Sequence, residues 1–304
     1  MVGQVQLSAD GPVVSEVVFG TWRLLDGAPG PCIDEIADRL ETCLNLGIDT
    51  IDTAEIYGHY SVESAIGEVF AARPDLRSRF KVVTKFGIDV PSVEKAGAAL
   101  PHYNATGENA VGCAEKSLRN LNLESIDLFL VHRPDWLASV DDTAAGLNRL
   151  LAEGKIRHAG VSNYTRDQFD LLNSRMDRPL VTNQVEVSLL NMAAIYDGTL
   201  AQCEQLGILP MAWSPLGGGR LFDAEDEAAV RIRKKMDQIR PRYDDAGDDA
   251  LALAWVMNLP SHPVVITGSN QMDRITSQSG ASALQLDRQD WYALWSAAKG
   301  CPVP

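Results

Sequence analysis

Residues 46–58, Leu46-Gly47-Ile48-Asp49-Thr50-Ile51-Asp52-Thr53-Ala54-Glu55-Ile56-Tyr57-Gly58, hold one complete structural junction. Gly47 stands just past a helical pattern over Ile33–Asn45, where a residue without Cβ lets the backbone turn left-handed without a clash. A short apolar run, Thr50–Asp52, follows at once and ends on a carboxylate with a polar loop behind it. Glu153-Gly154 and Leu206-Gly207 repeat the device, each glycine leading within a few residues into another apolar run.

Working outward, the candidate strands are Val17–Phe19, Thr50–Asp52, Lys81–Thr84, Asp127–Val131, His158–Val161, Asn183–Val185, Leu209–Ala212 and Val264–Ile266. Helical patterns lie near Ile33–Asn45, Ser61–Ala72, Ala105–Asn120, Val140–Glu153, Arg166–Ser174, Ile195–Gln205, Ala246–Asn258 and Met272–Gly280. Strict alternation of short strand and helix predicts a parallel sheet. An open doubly wound sheet shares that alternation, but eight units within about 270 residues match the rhythm of a closed TIM-type (β/α)8 barrel. Gln4–Leu7 and Pro12–Val14 read as an N-terminal β-hairpin that plugs one barrel end, and Arg288–Lys299 as a final extra helix. Gly217–Tyr243 is a long insertion with a charged helical centre, Glu225–Ile239. No linker divides the chain, so residues 1–304 are expected to form one domain.

Composition narrows the function. The 304 residues carry 27 Lys plus Arg against 41 Asp plus Glu, a net charge of -14 that repels phosphate backbones and anionic membranes. Five widely spaced cysteines without a Cys-x-x-Cys pair suit a reducing, cytoplasmic compartment. No apolar stretch reaches the roughly 18 residues of a membrane span.

In such a barrel the active site forms at the carboxyl ends of the strands. The second strand ends on Asp52 with Tyr57 in its loop, the third on Lys85 and the fourth on His132. An acid, a phenol, an ammonium and an imidazole on adjacent strands suit proton donation to a carbonyl oxygen while hydride reaches its carbon. The Lys85 ammonium is expected to lower the Tyr57 pKa from about 10, with Asp52 as its counterion and His132 holding the substrate oxygen. Singly each residue has a plainer role: Asp52 as a cap, Lys85 as a rim charge, Tyr57 and His132 as packing. Their conjunction carries the reading.

These residues resemble the tetrad of the aldo-keto reductases. Phe19-Gly20-Thr21-Trp22, Asp52-Thr53-Ala54-Glu55-Ile56-Tyr57-Gly58 and Ile156-Arg157-His158-Ala159-Gly160-Val161-Ser162-Asn163 look like that superfamily's signatures, as do Gln184 and Trp213-Ser214-Pro215-Leu216. His132-Arg133-Pro134-Asp135 and the run Ser214–Phe222 are most similar to the bacterial YdhF-type oxidoreductases. The resemblance spans essentially the whole chain and implies a nicotinamide cofactor. Ser162, Asn163 and Gln184 would hold the carboxamide, with Trp213 as a stacking face. Gly20, Thr21, Trp22 and Asp52 border the same site. Ser214, Pro215, Leu216, Gly218 and Arg220 would face the pyrophosphate. Thr267, Gly268, Ser269, Arg274 and Gln278 would receive an adenosine 2′-phosphate, favouring NADPH. Gly268 stands where many family members have lysine, which leaves room for NADH.

Substrate is expected to meet Trp22, Tyr57, His132 and Trp136, with His59, Tyr60 and Phe222 as further candidate walls. The expected substrate is a small aldehyde or ketone, and a monomer is the default state. A sugar or polyol dehydrogenase, or an NADPH-holding redox sensor with little turnover, are the alternatives. His59, His102, His132, His158 and His262 show no i, i+4 pairing, so no metal site is expected. The sequence has neither a Gly-x-Ser-x-Gly elbow nor a Walker loop.

Overall fold

Among the described residues twelve strands follow one another: β1 (Gln4–Gln6), β2 (Val13–Ser15), β3 (Val17–Gly20), β4 (Thr50–Asp52), β5 (Lys81–Phe86), β6 (Ile88–Asp89), β7 (His102–Tyr103), β8 (Ile126–Val131), β9 (Ile156–Ser162), β10 (Asn183–Glu186), β11 (Met211–Trp213) and β12 (Val264–Thr267). The computed structural model describes residues 1–27, 30–95 and 97–303. Eight of these strands, all parallel, close into a barrel in the order β3-β4-β5-β8-β9-β10-β11-β12, and β12 returns to pair with β3. The expected (β/α)8 architecture is the one found, and each expected barrel strand overlaps an observed one.

The two-residue period of a strand explains what fills the barrel and what rims it. Val18, Val83, Leu128, Leu130, Met211, Val264 and Ile266 form one buried apolar cluster together with Leu7 and Val14. Two residues further along the same strands stand Gly20, Lys85, His132, Trp213 and Gly268. The inward row therefore changes from apolar to polar as it nears the carboxyl end. Leu7 and Val14 come from the β1–β2 hairpin, whose antiparallel register pairs Gln4 with Ser15 and Gln6 with Val13. The Leu209 N–H donates to Leu7 O at 2.7 Å and the Ser15 N–H to Thr50 Oγ1 at 3.1 Å, which fixes the hairpin under the amino ends of the strands. The hairpin covers the amino end, and the carboxyl end stays open.

Helices surround the barrel, and Ile33–Asn45 and Arg288–Lys299 begin and end where the sequence pattern places them. The final helix docks through Trp291, which stacks on Trp255 with ring centroids 4.6 Å apart. Each indole N–H of that pair donates to the other residue's backbone carbonyl, at 3.1 and 2.9 Å. The insertion forms a helix over Glu227–Ile239, capped by Asp226, whose Oδ1 accepts from the Ala228 and Ala229 N–H groups at 3.0 Å each.

Two local features differ from expectation. The helix expected over Ile195–Gln205 is two pieces, Ala193–Tyr196 and Thr199–Leu206, because Gly198 turns left-handed between them at φ 88°. The segment after β5 carries the small β6–β7 pair, which no periodic pattern announced. No described helix is long and apolar enough to cross a membrane.

Close approach of helix Val62–Ala72 to the end of helix Gly107–Asn120 depends on Gly67: a Cβ there would lie 1.8 Å from the Asn120 carbonyl oxygen. Backbone cannot yield as a flexible side chain can. Gly67→Ala is therefore expected to destabilise the fold by about 1–3 kcal/mol, the usual cost of overpacking, seen as a lower midpoint in urea unfolding.

Candidate active site

Lys85 organises the carboxyl end of the barrel. Its side chain has no solvent exposure, and its three ammonium hydrogens find three acceptors. Nζ donates to Asp52 Oδ1 and to the Thr53 carbonyl, both at 2.7 Å, and to the Tyr57 hydroxyl at 3.2 Å. Asp52 is held in turn from across the barrel, where Gln184 Nε2 donates to Oδ2 at 2.8 Å. Thr21 secures the Asp52 backbone, its N–H and hydroxyl both donating to the Asp52 carbonyl at 3.0 Å. The four expected residues are thus brought together, with His132 closing the group: its ring centroid lies 6.0 Å from that of Tyr57. Trp22 meets Tyr57 edge-on at 4.9 Å.

The protonation of this group corrects one expectation. Burial raises the Tyr57 pKa above its ordinary value, and the Lys85 charge, acting in the opposite direction, only partly offsets it. The phenol is therefore protonated at neutral pH. Burial also pushes the Lys85 ammonium down, but Asp52 and then Tyr57 outweigh it, so the net shift is upward and the ammonium stays charged. His132 is driven well below its ordinary value by burial, helped by the charges of Lys85 and Arg133. It is a neutral imidazole, and its Nδ1 is buried without a hydrogen-bond partner among the described residues.

Above the tetrad opens a cleft of about 960 Å³. Of the residues expected at the cofactor, Gly20, Thr21, Trp22, Asp52, Ser162, Asn163, Gln184, Trp213, Ser214, Pro215, Leu216, Gly218, Thr267, Gly268, Ser269, Arg274 and Gln278 line it. Several already satisfy one another: Trp213 Nε1 donates to Asn163 Oδ1 at 3.0 Å, Asn163 Nδ2 to Ser162 Oγ at 2.7 Å, and Ser162 Oγ to the Gln184 carbonyl at 2.8 Å. Thr267 Oγ1 donates to Gln278 Oε1. Asn163 and Ser214 adopt left-handed backbone conformations, at φ 60° and 48°, and such strain is characteristic of functional sites.

Other expected residues lie elsewhere. Arg220 is outside the cleft lining, its guanidinium drawn to Asp226 at 2.6 Å. Trp136 is 77% exposed and does not line the cleft, because the loop after β8 carries it out into solvent. His59 and Tyr60 are also absent from the lining; the Tyr60 hydroxyl instead accepts the Val90 N–H at 2.9 Å, steadying the segment beyond β6. Phe222 does line the cleft.

Sequence reasoning missed several cleft residues. Arg23 reaches across to donate to the Gly218 carbonyl at 3.1 Å, and Asn270 Nδ2 donates to the Arg23 carbonyl, linking three loops. Arg240 and Asp248 pair at 2.6 Å in the lining, brought there by the insertion and the helix after it. Arg133 also lines the cleft, with Cζ 5.7 Å from the Trp213 ring centroid. Its place beside His132 at a strand end was a signal available in the sequence.

The Aldo/keto reductase family profile matches residues 16–299. Oxidoreductase YdhF of Escherichia coli (strain K12) is 39% identical over 304 residues, covering all of both chains. A 6-dehydroglucose reductase of Agrobacterium fabrum is 37% identical, over 95% of this chain and 96% of that protein. Among solved structures, the glycerol dehydrogenase AKR11B4 from Gluconobacter oxydans superposes with a TM-score of 0.85 at 23% identity, over 99% of this chain and 97% of the other. The thermostable aldo-keto reductase Tm1743 gives 0.81 at 22% identity, over 97% and 99%, and both structures share the barrel. With the profile running from the end of the hairpin to the final helix, and full-length relatives above a third identical, the chain belongs to the Aldo/keto reductase family.

Proposed function

We propose that this reductase uses NADPH to convert aldehydes or ketones into alcohols, with Tyr57 as the general acid. The observation that carries the reading is a protonated phenol in hydrogen-bond contact with a buried, charged lysine at the floor of an open cleft. A donor of this kind must keep its proton until the carbonyl oxygen gains charge, and then have its own anion stabilised. Lys85 is placed to stabilise the phenolate, Asp52 keeps Lys85 ionised, and neutral His132 offers the carbonyl oxygen a hydrogen bond. Gln184 fixes the Asp52 carboxylate from the opposite wall.

The lining suits a dinucleotide. Gly218 and Gly219 have positive φ and nothing within 4 Å of a Cβ position, so backbone there is open to a pyrophosphate. Ser269 and Arg274 stand on the turn and helix after β12, and the Arg274 side chain has no ion pair among the described residues. These residues would hold the adenosine phosphate end, and Ser162, Asn163 and Trp213 the nicotinamide. When bound, the cofactor supplies the hydride. We assign the activity to one domain spanning residues 1–304 and take the protein to work in the cytoplasm, as a monomer, without nucleic-acid or membrane partners. Sugar-derived carbonyl compounds belong in the first assays, since two curated relatives bear the name 6-dehydroglucose reductase.

Tyr57→Phe should lower kcat for carbonyl reduction by about 10²–10⁴-fold while NADPH still quenches tryptophan fluorescence. An equal kcat removes Tyr57 from the mechanism. In the wild type, kcat/KM for reduction should stay level through neutral pH and fall only as pH rises through the elevated Tyr57 pKa, above its ordinary value of about 10. No acid limb should appear near 6.5, because His132 is already neutral there. Arg274→Ala should weaken NADPH binding about 10- to 100-fold and NADH binding far less, as measured by fluorescence titration. Equal losses for both would argue against a 2′-phosphate contact.

A further inference from the structure

We infer that Arg133 makes the site selective for carbonyl compounds that carry a carboxylate. The inference deepens the carbonyl-reductase reading and rests on it. At the chemical end of the cleft the charges nearly cancel. Asp52 and Lys85 neutralise each other at 2.7 Å, and Tyr57 and His132 are uncharged at neutral pH. Arg133 remains. It lines the cleft, is partly buried, and among the described residues has neither an ion pair nor a side-chain hydrogen bond.

The other guanidinium groups in the lining are differently placed. Arg240 is paired with Asp237 and Asp248, Arg23 donates to the Gly218 carbonyl, and Arg274 sits on the helix after β12. Arg133 follows His132 directly in the chain, and its charge is felt by both the Tyr57 phenol and the His132 imidazole. Its position is set by the backbone of His132, whose N–H donates to the Phe86 carbonyl at 2.9 Å and whose carbonyl accepts from Asn163 Nδ2 at 3.3 Å. The guanidinium Cζ rests 5.7 Å from the Trp213 ring centroid, and its N–H donors have no protein acceptor among the described residues.

A planar fork of donors, partly stripped of water and uncompensated, is best satisfied by a carboxylate bound through two parallel hydrogen bonds. Trp22, 59% exposed and edge-on to Tyr57, adds an apolar wall beside the phenol. The favoured substrate therefore has a carbonyl and a carboxylate separated by a short apolar spacer, so that one meets Tyr57 while the other meets Arg133.

The test compares para-formylbenzoate with para-tolualdehyde at saturating NADPH and neutral pH, in wild type, Arg133→Met and Arg133→Lys. Wild type should favour the carboxylated aldehyde in kcat/KM by about tenfold or more, the scale of a charge-assisted hydrogen bond. Arg133→Met should erase that preference, mainly through KM, and Arg133→Lys should restore part of it. Absence of preference in wild type overturns the inference. So does a preference that survives in Arg133→Met, or a loss that falls equally on both aldehydes. In parallel, the NADP+ complex is titrated with para-(hydroxymethyl)benzoate and para-methylbenzyl alcohol, following tryptophan fluorescence. If neither aldehyde is reduced, the carbonyl-reductase reading fails, and the titration alone decides Arg133: carboxylate-selective binding lost in Arg133→Met upholds its role, and equal binding refutes it.

Discussion

A lysine with no solvent exposure is tolerable only if its charge is matched, and the contact between Lys85 and Asp52 is the one on which the site depends. Burying an ammonium costs several kcal/mol in desolvation, and replacing either partner alone would leave the other charge stranded. The structure meets that cost with a full set of acceptors, Asp52, the Thr53 carbonyl and the Tyr57 hydroxyl. The phenol is thereby part of the solution to a burial problem as well as a chemical group. In the proposed reaction its hydrogen bond from the ammonium, formed in the resting protein, would strengthen as negative charge develops on its oxygen.

The barrel makes this arrangement affordable. Eight strands present their inward residues in layers, and the lower layers hold an apolar cluster that takes in Leu7 and Val14 from the hairpin. That packing holds the strand ends at fixed separations, so polar residues one step further along the same inward rows meet without adjustment. Asp52 and Gln184 are 132 positions apart in the chain, yet their side chains are hydrogen-bonded across the opening. The loops above contribute glycine backbone at Gly218 and Gly219, and arginines at positions 23, 133, 240 and 274.

Those arginines also resolve an apparent conflict. A chain of net charge -14 repels anions at long range, whereas a dinucleotide carries several negative charges. Long-range repulsion is screened within about 8 Å at physiological ionic strength, and inside the cleft the local guanidinium groups decide. Asp248 and Asp249 also line the cleft, but Arg240 neutralises the first and Ser277 donates to the second at 2.6 Å.

The sequence by itself determined the eight barrel strands and the identity of the tetrad, because both are written in local periodicity: a strand's inward row can be counted, and a polar residue continuing an apolar row marks the carboxyl rim. Asp52, Lys85 and His132 were legible for that reason, and Tyr57 because it follows Asp52 in the adjoining loop. Tertiary structure alone decided which residues converge from distant segments. It placed Arg23 against Gly218, brought Asp248 to the cleft, and left Trp136 in solvent although Trp136 follows closely on His132. It also decided the direction of the Tyr57 shift. Neighbouring charge can be inferred from a sequence pattern, but desolvation depends on how completely the folded chain excludes water, and at Tyr57 desolvation prevails over the lysine.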